Sequence, residues 1–98
     1  MFARATTLRG SADNVDAGVQ QYRDTLAQFR QIAGNQGAFL LIDRSSGEGI
    51  GVTLWESEEA MADSRGQASQ LRQQAAQQAG GQIESVEEYE VAVWDVSS

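Results

Sequence analysis

Three side chains in this sequence have the chemistry to hold and polarise a small molecule: Trp55, Tyr22 and Arg4. An indole can wall a pocket and stack on a flat aromatic ligand, and a phenol can donate a hydrogen bond into a cavity. A guanidinium stays charged and offers several donors, so it can orient a substrate or stabilise an enolate or phenolate formed from it. Each has a plainer reading. Trp55 can be a strand-end core or interface residue, and Tyr22 can pack its ring and satisfy its hydroxyl locally. Arg4 can pair with Glu88 or Glu90 on a neighbouring strand. Trp94, near the end of the chain, reads as interface packing.

What is missing narrows the chemistry further. The 98 residues contain no histidine and no cysteine. The commonest general base, the usual metal and haem ligand and the thiolate nucleophile are therefore all absent. No metal-ligand spacing and no nucleophile–base pair is visible. Gly47-Glu48-Gly49-Ile50-Gly51 is a hairpin and strand feature rather than a phosphate-binding loop. Glu56, Glu58 and Glu59 fit the start of a helix, where negative charge meets the helix dipole. Glu87, Glu88 and Glu90 read as a solvated edge or face. Neither cofactor nor metal is expected.

Seven basic against fourteen acidic side chains leave a net charge of −7, and all the basic residues are arginines scattered from Arg4 to Arg72. Nucleic acid and anionic membrane surfaces need clustered positive charge, so neither is an expected partner. The apolar runs are too short to span a membrane, and the first residues lack the apolar core of a signal peptide. A cytoplasmic, soluble, single domain over residues 1–98 is the expectation.

The elements that must position these groups follow from spacing. Phe2 to Leu8 reads as a strand. Asp13 or Asn14 can cap a helix whose stripe is Val15, Val19, Tyr22, Leu26, Phe29 and Ile32, ending at Gly34. Ala38 to Asp43 is an apolar strand, turned by Arg44–Gly47 into a third strand over about Glu48–Glu56. Ser57 caps a second helix running to about Ala79, with a stripe of Met61, Ser64, Ala68, Leu71 and Ala75. Small residues dominate that stripe, so the helix either lies very close to the sheet or leaves a space beneath it. Gly80 and Gly81 stop it, and a last strand is expected over about Val86–Val96.

The order βαββαβ predicts a ferredoxin-like α+β fold, a four-stranded antiparallel sheet with both helices on one face. The second strand has no polar face. A lone chain would expose an apolar patch at or above the ~300–600 Å² common on monomers, which predicts a homodimer closing two sheets face to face.

Trp55-Glu56-Ser57-Glu58-Glu59-Ala60 opening a helix, with a terminal Val86-Glu87-Glu88-Tyr89-Glu90-Val91 strand, resembles the dimeric α+β barrel superfamily and within it the antibiotic biosynthesis monooxygenase family. The resemblance implies a cofactor-independent monooxygenase acting on an aromatic or polyketide-type molecule, with Trp55 lining the pocket. In such chemistry the substrate's own carbanion delivers an electron to O2, and the protein positions and desolvates it. The haem-degrading branch depends on a histidine nine or ten residues after this tryptophan. Here Ser64 and Arg65 stand there, which argues against haem degradation. A non-catalytic small-molecule-binding or interaction dimer on the same fold, or a structural assembly subunit, is the alternative.

Overall fold

The computed structural model describes residues 1–97; Ser98, the last residue of the expected domain, lies outside them. Four antiparallel strands, β1 (Phe2–Arg9), β2 (Asn35–Asp43), β3 (Glu48–Trp55) and β4 (Gln82–Glu90), form one sheet in the order β2-β3-β1-β4. Helices α1 (Val15–Arg30), α2 (Glu58–Asp63) and α3 (Arg65–Ala79) complete it. This is the ferredoxin-like α+β arrangement expected from the element order.

Two starts show how local sequence and tertiary context share the work. Ser57 caps α2 as its residue type suggests: the Ala60 N–H donates to Ser57 Oγ at 3.0 Å. Before α1, Asn14 occupies the cap position but its side chain makes no cap bond. A 3-10 turn over Ala12–Asn14 feeds the helix instead, with Asn14 N–H donating to Ser11 O at 3.0 Å.

The helix expected from Ser57 to about Ala79 is broken at Ser64. The Ser64 hydroxyl donates to Met61 O at 2.7 Å and so competes with the helical ladder. Arg4, 60 residues away, reaches the same break from the sheet. The final strand also differs from the expected Val86–Val96. It starts at Gln82 because β1 extends to Arg9 and pairs with it, pairing that overrides the weak strand preference of Gln and Glu. It ends at Glu90, and the last ladder-like bond runs from Val91 N–H to Met1 O. Beyond Ala92 the described residues have no strand beside them, and Val93, Trp94 and Val96 are exposed.

Alternation along β1 and β3 sorts the two faces. Phe2, Arg4, Thr6 and Leu8 on β1 oppose Trp55, Thr53, Gly51 and Gly49 on β3, and these face the helices. The core sits at one end of that layer, where Phe29, Ile32, Trp55, Met61 and Ala68 are buried with Phe2 and Leu71 packed against them. The opposite face carries Phe39, Leu41, Val52, Leu54 and Tyr89, of which Leu41 and Tyr89 are 54% and 53% exposed. No helix among the described residues is long and apolar enough to cross a membrane.

Candidate functional site

At the end of the layer away from Trp55, β3 presents glycines to the helices, between Thr6 and Leu8 of β1 and Leu40 and Ile42 of β2. Gly49 and Gly51 of β3 lie beside Leu8 and Thr6 of β1, while α3 contributes the small Ala75 and Ala76, with Arg72 one turn earlier. A cavity of about 120 Å³ remains between helices and sheet. The small-residue stripe therefore does both things its composition allows. It packs tightly at Ala68, which is fully buried, and leaves a space under Ala75 and Ala76. The cavity runs to the end of the sheet, where exposed Ser11 and Asn14 line it.

Tyr22 of α1 forms one wall. A Cβ at Gly51 would sit 3.0 Å from Tyr22 Cε2, so the absence of a side chain there lets the phenol ring lie against the strand. Its hydroxyl donates to Phe39 O at 2.9 Å and approaches Val52 O at 3.3 Å. Burial pushes the Tyr22 pKa up to about 12. At neutral pH the group is a protonated donor and not a base.

Trp55 and Arg4 are brought together at the other end and do not line the cavity. Trp55 is fully buried, and its Nε1–H donates to Thr53 Oγ1 at 3.0 Å. The Arg4 guanidinium lies 5.4 Å from the Trp55 ring centroid, a cation–π distance. Arg4 is 2% exposed and engaged on three sides. It donates to Met61 O at 2.7 Å, to Ser64 Oγ at 3.2 Å, and to Glu88 Oε2 at 2.9 and 3.1 Å. The cross-strand partner anticipated for Arg4 is thus Glu88, its neighbour in the β1–β4 register. Ser64 is buried and pins the helix break. Thr53 touches both ends, since it lines the cavity and accepts from Trp55.

Sequence reasoning passed over Arg72. Its Nε and Nη1 are buried without a hydrogen-bond partner among the described residues. Arg72 lines the apolar cavity on one side and a polar cleft with Arg4, Arg65, Ser69, Val86 and Glu88 on the other. Burial, then the nearby Arg4 charge, lowers its pKa, while Glu88 acts in the opposite sense. The available signal was spacing: 68, 72 and 76 recur at four, which places Arg72 on the inward stripe of α3. Among the described residues no cluster of three His, Cys, Asp or Glu side chains could hold a metal ion.

This geometry is shared: the chain has the ferredoxin-like α+β fold seen in solved antibiotic biosynthesis monooxygenase-like proteins. It superposes with a TM-score of 0.73 on a Deinococcus radiodurans protein provisionally assigned to that group, over 100% of both chains at 19% identity. It matches SnoaB, a cofactor-independent oxygenase from Streptomyces nogalater, with a TM-score of 0.67 over 95% of this chain and 94% of that one, at 13% identity. In sequence it is 38% identical over 93 residues to the uncharacterised Mycobacterium tuberculosis protein Rv2557, covering 94% of this chain and 41% of that protein. Rv2558 of the same organism is 35% identical over 94 residues, covering 95% of this chain and 39% of that protein. The chain thus spans about two fifths of these relatives' length. No protein-family profile matches it.

Proposed function

We propose that the protein binds an aromatic or polyketide-type small molecule in the cavity between helices and sheet, and acts on it as a cofactor-independent monooxygenase. The observation that carries this reading is the cavity: an apolar space with a few convergent polar groups, Tyr22, Thr25, Thr53 and Arg72, in its wall. The size constrains the ligand. About 120 Å³ is close to the ~150 Å³ of a dry cavity that takes up benzene, so one ring fits inside and a larger ligand extends past Ser11 and Asn14. Trp55 contributes from behind by bonding Thr53, and Tyr22, whose hydroxyl hydrogen is committed to Phe39 O, contributes its ring and its oxygen as an acceptor. The chemistry would convert a methylene flanked by activating groups: a C–H proton is lost, the carbanion is oxidised by O2, and the hydroperoxide collapses to a ketone and water.

A second reading, binding without turnover, is favoured by a cavity wall that, among the described residues, includes no carboxylate or imidazole. Oxygen uptake with single-ring and polycyclic enolisable phenols and ketones, paired with calorimetric titration of the same compounds, separates the two. One O2 consumed per ketone formed supports the oxygenase. Binding with no oxygen uptake supports the second reading. No binding by any of the compounds removes the cavity as a ligand site.

The open face of the sheet is proposed as the surface of a homodimer. Phe39, Leu41 and Tyr89 are exposed on an apolar face, shared with Val52, that no helix among the described residues covers. Sedimentation at micromolar concentration should give twice the chain mass, and Leu41→Glu, which places a charge in that face, should shift the protein to monomer. A monomeric wild type would overturn the dimer.

A further inference from the structure

Arg72 is an arginine that the fold does not satisfy. Arginine remains protonated at any physiological pH, and burying a charge without partners is unfavourable unless something else supplies them. Two of its three guanidinium nitrogens are in that position. The nearest carboxylate is already occupied. Glu88 Oε2 accepts from Arg4 and from Arg65 Nε, and Glu88 Oε1 accepts from Arg65 as well. Three arginines therefore surround one carboxylate in a chain whose net charge is −7. The local excess of positive charge runs against the charge of the whole molecule.

The position of the excess is specific. Arg72 is the residue shared by the apolar cavity and the polar cleft, with Gly49, Gly51, Ala75 and Ala76 leaving room on the cavity side. An apolar body seated against Tyr22 would therefore lie in a space whose wall includes Arg72, the residue that carries the unpartnered nitrogens. Resting on the reading of the cavity as a ligand site, we propose that Arg72 is its anion-recognising residue and that the ligand is a small planar oxyanion. Its ring occupies the apolar space and its carboxylate, phenolate or enolate oxygen accepts from Arg72. The arrangement selects against neutral compounds of the same shape, because they leave the buried guanidinium unpaired. Compact anions without an apolar body, such as phosphate, gain the charge pairing without filling the cavity.

Benzoate and benzamide have nearly the same shape and differ in charge, and they are the probes. Amide chemical-shift titration of the wild type should show benzoate binding at least tenfold more tightly than benzamide, with inorganic phosphate weaker than benzoate. In Arg72→Gln the preference should fall to less than twofold, with benzoate affinity lost and benzamide affinity equal to or above that of wild type. The same variant should melt at or above the wild-type temperature, since an unsatisfied buried charge has been removed; Arg72→Met is the second variant for that comparison. A preference for benzoate that survives in Arg72→Gln, or equal binding of the two probes by wild type, overturns the anion assignment and leaves the cavity standing. Phosphate binding that matches benzoate overturns it too, by placing the anion in the cleft. Binding of neither aromatic probe removes the cavity reading and the anion assignment together. A variant that unfolds well below wild type identifies Arg72 as a structural residue and overturns the proposal.

Discussion

Trp55→Ala should lower stability by about 3–5 kcal/mol, the range for removing a large buried aromatic. The indole is fully buried and packs in the cluster with Phe29, Ile32, Met61 and Ala68. Three features keep the space from collapsing when it is removed. Phe2 is fixed opposite Trp55 in the β1–β3 register. The helix break at Ser64 is held by Arg4. Ala68 is already fully buried and too short to fill the void. The loss also strands the Thr53 hydroxyl and removes the ring under the Arg4 guanidinium. A domain of this size has roughly 5–15 kcal/mol in total, so the variant should sit near the limit of folding. With a urea m-value near 1.5 kcal/mol/M, the midpoint should fall by about 2–3 M. Far-UV circular dichroism is the appropriate readout, because the remaining tryptophan, Trp94, is 53% exposed and changes little on unfolding. Trp55→Phe should lose about 1–2 kcal/mol, keeping most of the burial but not the bond to Thr53. A loss below 1 kcal/mol in Trp55→Ala would mean that the tryptophan is not the centre of the core.

The contrast between this tryptophan and Arg72 shows what a sequence exposes and what it hides. Periodicity places Val15, Val19, Tyr22, Leu26, Phe29 and Ile32 on one inward stripe, and none of them is fully exposed. The cap at Ser57 depends only on residues within one turn, so it was legible too. The cavity was half legible. Small residues on the second helical stripe announce either close packing or a space, and only the glycines of β3, read against the pleat, decide where each occurs.

Features that depend on distant residues were not legible. Ser64 interrupts a segment rich in good helix formers, and what holds the break comes from β1. The limits of β4 are fixed by where β1 offers a partner, not by the strand preference of its own residues. Arg72 was hidden by a sound prior, since arginines on helices are mostly solvated. The prior fails here because the side chain emerges between Ala68 and Ala76 on the stripe facing the sheet.

The Arg4–Glu88 pair joins the sheet to the helix break, and neutralising it should be the other large effect. Glu88→Gln should lose about 2–4 kcal/mol at pH 7, somewhat below the usual range for breaking a buried pair because Glu88 is 22% exposed. The hydrogen bond from Arg65, and after it those from Arg4, hold the Glu88 carboxyl below the ordinary carboxylate range against the opposing effect of burial. A depressed folded-state pKa fixes the sign of the pH dependence. The stabilisation is fully present above the unfolded glutamate value near 4.3 and is lost as pH falls through the lower folded value. The stability difference between wild type and Glu88→Gln should therefore be constant from pH 7 to about 5 and shrink in more acidic solution. Denaturant titrations at several pH values check this, and a difference that persists undiminished to pH 2 would rule out the Glu88 charge as its source. The contribution should divide unequally between the two arginines. Arg65 is 61% exposed, so Arg65→Met should cost less than about 1 kcal/mol. Arg4→Met should cost most of the full effect, because it also frees Met61 O and Ser64 Oγ at the break. Glu88 is also a negative charge acting on Arg72. Its neutralisation should strengthen the preference of the cavity for benzoate over benzamide even as it weakens the fold, so that affinity and stability move in opposite directions in a single variant.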